Sequence, residues 1–205
     1  MGLTFQAYSI LSCLSKRFRK HIKFPALLLL IAGVLALSGC QDPRYDKSSQ
    51  KVQSYRQELN RAREEFEKID TVELNDVADI VVEAVDSLEK IAVEKKWILE
   101  KEEAEYFTNY KSLVRPARQL SEKAQILKSD MLYSEKQLAT LLTDIENQAL
   151  PIDSVMRYVE LEAKAVETIA KSTRNMVEGN QVLMARFELL HPQFSYYVNR
   201  IEKRK

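Results

Sequence analysis

From residue 40 to the end of the 205-residue chain there is one glycine, Gly179, and there are four prolines: Pro43, Pro116, Pro151 and Pro192. That scarcity constrains the fold more than any other feature. Sheets, sandwiches and barrels reverse direction every few residues and need Gly, Asn and Pro at each reversal. A chain with so few breaks has room only for long uninterrupted elements. It is rich instead in Glu, Lys, Leu, Ala, Gln and Arg, which lose little side-chain freedom in a helix.

The apolar residues have helical spacing. Val52, Tyr55, Leu59, Ala62, Phe66 and Ile69 alternate steps of three and four. A second stripe runs from Val77 to Ile98, interrupted by Lys95. A third runs from Tyr106 to Ile145 and a fourth from Ile152 to Leu190. Each places its apolar side chains along one seam of a helix, the pattern of coiled coils and bundles. The expected fold is therefore all-α: an elongated antiparallel bundle or coiled coil of long helices. Asp70-Thr71 can end one helix and cap the next, Pro151 suits a first turn, and Pro192 should stop the last helix beyond Leu190. Pro116 either opens a new helix or kinks a continuous one. The stripe passes it without a phase shift, which favours the kink. Reversals at 70–75 and 148–151 would cover the seams within one chain, and self-association would cover them between chains. Short connections favour antiparallel neighbours. Lys95, Ser134, Glu162, Thr173 and Asn180 interrupt the seams. They are read first as register-setting or edge positions, and second as the lining of a groove.

The first forty residues are built differently. Lys16, Arg17, Arg19, Lys20 and Lys23 come without a single acid among residues 1–39. An uncharged apolar run follows from Phe24 to Leu37, about 14 residues where a spanning helix needs about 20. Then comes Leu37-Ser38-Gly39-Cys40. Basic, apolar, then small is the order of a secretory signal peptide, and the cationic flank stays on the cytoplasmic side.

Leu37-Ser38-Gly39-Cys40 resembles the lipobox of bacterial lipoproteins, which reads Leu, small, small, Cys. The resemblance covers roughly residues 16–41. It implies that the signal peptidase recognises Leu37, Ser38 and Gly39 and cuts before Cys40. It also implies that the Cys40 thiol carries diacylglycerol and that the new amine is acylated. No other cofactor is expected. Cys13 lies in the leader, so Cys40 is the only cysteine of the mature chain, and no disulfide can form within it. Two or three acyl chains, at about 0.8 kcal/mol per buried CH₂, are enough for stable anchoring. Gln41 is not the Asp that retains such proteins at the inner membrane, so the outer membrane is favoured where the cell has one. The Met1-Gly2 start does not make a myristoylation site, because Gln6 stands where Ser or Thr is wanted.

Catalytic sets are sparse. His191 is the one histidine of the mature chain, with Glu188 three residues before it. Di-iron bundles use that spacing but need two such motifs and further carboxylates. His191 is read instead as a helix C-terminal residue favoured by the dipole, and no metal is expected. The acidic clusters at 64–67 and 102–105 are interleaved with Lys and Arg and read as solvated faces. There is no Gly-x-Ser-x-Gly elbow and no Gly-rich phosphate loop. Trp97 is a lone aromatic expected to pack in a core or groove. Without the leader, 26 of the 31 bases face all 30 acids. This mildly acidic body argues against nucleic acid as a partner.

The expected organisation is a removed signal peptide over 1–39, a lipidated cysteine and tether over 40–50, a bundle over 51–192 and an aromatic, basic tail over 193–205. The tail's aromatics are expected to dock back on the bundle. The expected role is a non-catalytic, membrane-tethered lipoprotein of the bacterial cell envelope. It would act by protein–protein contact or as a scaffold, with an envelope protein or a further copy of itself as partner. The rival expectation is a small-ligand or lipid-binding bundle, lined by the polar seam residues and Trp97.

Overall fold

The computed structural model describes residues 42–96 and 98–203, and the backbone alone at Glu202. The described part is helical throughout: α1 (Pro43–Phe66), α2 (Thr71–Glu94), α3 (Lys101–Lys111), α4 (Val114–Glu146) and α5 (Ile152–Lys203). The chain from Arg44 onward forms one compact unit. No helix among the described residues is long and apolar enough to cross a membrane.

The five helices make three antiparallel runs: α1 with α2, α3 with α4, and α5 alone. The direction of the first run is fixed by its partners. Arg63 pairs with Glu135 at 2.7 Å, and Ser121 donates to Asn75 at 2.6 Å. As the residue number climbs along α1 and α2, it falls along α4. The chain therefore does not turn back at 70–75, as the sequence suggested. Residues 67–69 keep helix-like backbone bonds, Ile69 stays buried on the seam, and the Asp70 carboxylate accepts from Val72 N–H at 2.9 Å and Glu73 N–H at 3.0 Å. The cap restarts the helix in nearly the same direction. The reversal comes at 95–100, after Lys96 takes a left-handed φ of 50°. Ile98, placed on the second stripe by its spacing, lies beyond the helix and is 89% exposed.

The other reversal lies where it is expected. α4 ends with Gln148 N–H donating to Ile145 C=O and Ala149 N–H donating to Asp144 C=O. This is the bonding of a Schellman motif, with Gln148 at φ 48° in the place glycine usually takes. Val155 N–H then donates to Pro151 C=O and opens α5.

Three further expectations need correction. Pro116 does not kink one helix: α3 stops at Lys111 and α4 starts at Val114, with Pro116 in its first turn. There the missing N–H costs no intrahelical bond. Ser112 and Leu113 both keep right-handed dihedrals, which is why the stripe crosses the break in phase. Pro192 does not stop the last helix, since α5 runs through it to Lys203. An interior proline costs about 3 kcal/mol. Burial of Phe194 and Ile201 beyond it offsets that, at roughly 1.5–3 kcal/mol each. Finally, the expected tether over 40–50 is already helix from Pro43, and Ser48 is buried.

The core sits between the three runs. Val52 and Leu59 of α1, Leu74 and Val81 of α2, Leu138 and Ile145 of α4, and Val155 and Val166 of α5 are all buried.

Candidate functional site

Leu37, Ser38, Gly39 and Cys40, the expected peptidase and lipidation residues, lie outside the described residues, as do Gln41 and Trp97. The bundle's first turn, just after them, is well tied down. The Tyr45 hydroxyl donates to the Leu150 carbonyl at 2.8 Å, and Arg44 approaches Asp153 at 3.7 Å. The first contact joins the start of α1 to the connection between α4 and α5, and the second joins it to the first turn of α5.

The polar seam residues do not converge. Thr173 is buried in the core, and its hydroxyl donates back to the Ile169 carbonyl at 2.9 Å. Ser134 is buried as well, and its hydroxyl has no hydrogen-bond partner among the described residues. Asn180 and Glu162 are half-buried, and burial holds the Glu162 carboxyl above its ordinary range. Lys95 caps the end of α2 and is exposed. None of the five lines any of the main surface grooves among the described residues.

His191 has a role its position in the sequence does not announce. It lies inside α5, not at a helix end, because the helix continues past Pro192. Its Nδ1 is 2.7 Å from the Tyr110 hydroxyl, and its ring stacks on Phe187 with centroids 4.7 Å apart. Tyr110 is fully buried and stacks on Phe194 at 4.0 Å, while Phe107 meets Phe194 edge-on at 5.7 Å. The Tyr106 hydroxyl donates to the Leu190 carbonyl. Burial pushes the Tyr110 hydroxyl's pKa up and the His191 pKa down, so both groups stay neutral near pH 7. Glu188 is exposed and does not join His191. Among the described residues no group of three or more His, Cys, Asp or Glu could hold a metal. The cluster is a clamp that pins α3 to the last turns of α5. Its signal in the sequence is the pairing of Tyr106 and Tyr110 with Phe187, His191 and Phe194 at helical spacings.

A groove runs along the outer face of the α4–α5 hairpin. Two adjoining cavities of about 250 and 430 Å³ are lined by α4 and α5 alone, with no residue of α1 or α2. Leu120, Lys123 and Asn175 belong to both, so they form one groove. The Leu120 side chain packs over Gly179 there. A Cβ on Gly179, in the middle of the 52-residue α5, would stand 3.0 Å from Leu120 Cδ2, so a larger residue there would have to shift the Leu120 side chain. Ile126 and Val182 border the groove, each 60% exposed. Arg186 is held at one end by the Ser112 hydroxyl at 2.8 Å. Lys123 and Glu178 face the groove from opposite walls, and neither is ion-paired among the described residues.

Asp130 and Ser172 complete the polar lining of the smaller cavity beside Lys123 and Asn175. The chain matches no protein-family model, no curated protein and no solved structure.

Proposed function

We propose that this chain is a lipid-anchored protein of the bacterial cell envelope that works by protein–protein contact and performs no catalysis of its own. The observation that carries the reading is Leu37-Ser38-Gly39-Cys40 behind a basic and then apolar leader, three residues before helix α1. Three residues of chain reach at most about 11 Å. An acylated Cys40 would therefore hold the first turn of α1 close to a bilayer surface. Tyr45 would pass that hold to the α4–α5 connection through its bond to Leu150, and Arg44 to the first turn of α5 through its ion pair with Asp153. The groove along α4 and α5 supports the second half of the reading. It leaves apolar side chains facing outward, together with charges that have no ion-pair partner among the described residues. Gln41 favours the outer membrane where there is one.

Metabolic labelling with a palmitate analogue tests the anchor. The wild-type protein should take the label, sediment with membranes and have a mass lacking residues 1–39. Cys40→Ala should lose the label and keep its leader. A wild-type protein that retains the leader, or gains no acyl mass, overturns the proposal.

A further inference from the structure

We propose that a second copy of this chain occupies the α4–α5 groove, with the two copies side by side, related by a two-fold axis along the bundle and with their Arg44 ends together. The orientation rests on the proposed lipid anchor; the occupant rests on the arrangement of charge.

Leu120 lies opposite Gly179, which sets the level of the two walls. Lys123 stands three residues further along α4, about 4.5 Å, and Glu178 is displaced about 1.5 Å the same way along antiparallel α5. The two charges are thus within about 3 Å in level, on opposite walls. A two-fold axis along the bundle carries each α4 wall onto the other copy's α5 wall at the same level. Lys123 then meets Glu178 of the second copy, and Glu178 meets its Lys123. One pair of residues supplies two complementary contacts, as an isologous interface requires. A two-fold axis across the bundle would instead set each α4 wall against its own copy and each α5 wall against its own copy, so Lys123 would not lie against Glu178 of the second copy. Ile126 and Val182, 60% exposed in the single chain, would be covered on either side of these contacts. The favoured orientation also turns both Cys40 residues toward the same membrane, which two anchored copies need.

Sedimentation of the full chain, extracted in detergent, tests this. Wild type should be a dimer at micromolar concentration. Lys123→Glu and Glu178→Lys should each weaken the dimer by about tenfold or more, because symmetry turns two attractions into two repulsions. The double variant K123E/E178K should recover the wild-type dissociation constant, and an equimolar mixture of the two single variants should form a mixed dimer. The helical circular dichroism of the folded protein should not change in any of them. A monomeric wild type, or a dimer indifferent to all three changes, overturns the proposal. Cys40→Ala should still dimerise, because the contacts lie on α4 and α5. A dimer without acyl label therefore sinks the anchor alone, and labelled monomer sinks the pairing alone.

Discussion

Tyr110 and His191 show how a side chain that looks functional can be structural. Their bond joins a fully buried hydroxyl to a half-buried ring nitrogen. Tyr110→Phe leaves that nitrogen without its hydrogen-bond partner and should cost about 1–3 kcal/mol in urea unfolding. The pH dependence has a defined sign. Burial holds His191 below its ordinary 6.5, so the unfolded chain takes up the proton first as pH falls. This stability is present above pH 6.5 and should be lost as the pH drops through the folded value; His191→Gln should flatten that part of the profile. Glu135 titrates lower. Its hydrogen bond and charge contact with Arg63 hold it below its ordinary 4.5, so its contribution is present above 4.5 and lost as pH falls further. Both partners are partly exposed, and a double-mutant cycle on Arg63 and Glu135 should return only about 0.3–1 kcal/mol. Ser134→Ala should be neutral or stabilising by up to about 1 kcal/mol, since it removes a buried hydroxyl with no bond among the described residues. Ser134 and Thr173 are located on the seam by spacing alone. That Thr173 satisfies itself on Ile169, and Ser134 does not, depends on rotamers that spacing does not carry. Glu103 is likewise hidden. Its neighbours place it in a solvated acidic face, yet it is buried and accepts the Glu100 N–H at 3.3 Å in a capping box.

At the scale of elements, the three-four periodicity located every long helix, and the boundaries depended on individual capping residues. Asp70 was legible because an N-cap carboxylate before a helical stripe has one common use. The prolines were not. Pro116 and Pro192 present the same local chemistry, a missing donor and a bulky ring, yet one begins a helix and the other is carried within one. The difference lies in the long-range packing available to the residues after each proline. Beyond Pro192 the aromatic side chains have α3 to pack against, and that burial outweighs the local cost. Pro192→Ala should therefore stabilise the protein by roughly 1–3 kcal/mol in urea unfolding without shifting the helix end. Gln148 presents the opposite case, a side chain held in a left-handed conformation that glycine takes freely. Gln148→Gly should raise stability by about 0.5–1 kcal/mol, read as a higher melting temperature.

For the whole molecule, the all-α bundle was legible because long seams need partners, and the charge balance and short connections left few alternatives. The number of traverses was not. Whether a four-residue break such as 67–70 reverses the chain depends on a few backbone angles, and here the reversal waits for Lys96. Ending the chain after Leu190 removes His191, Phe194 and Tyr197, the α5 side of the clamp on α3. The amides of Lys101–Lys111 should then exchange with solvent much faster, while those at the Arg63–Glu135 end of the bundle keep their protection. Three traverses have a mechanical consequence as well. With an odd number of runs, Arg44 and Lys203 lie at opposite ends of the bundle, and α5 alone spans about 78 Å between them. A pull applied to the two termini loads the seams in shear along their whole length instead of peeling them apart one turn at a time. A chain fastened at its first helix and gripped at its last would thus resist tension with all its packed layers at once.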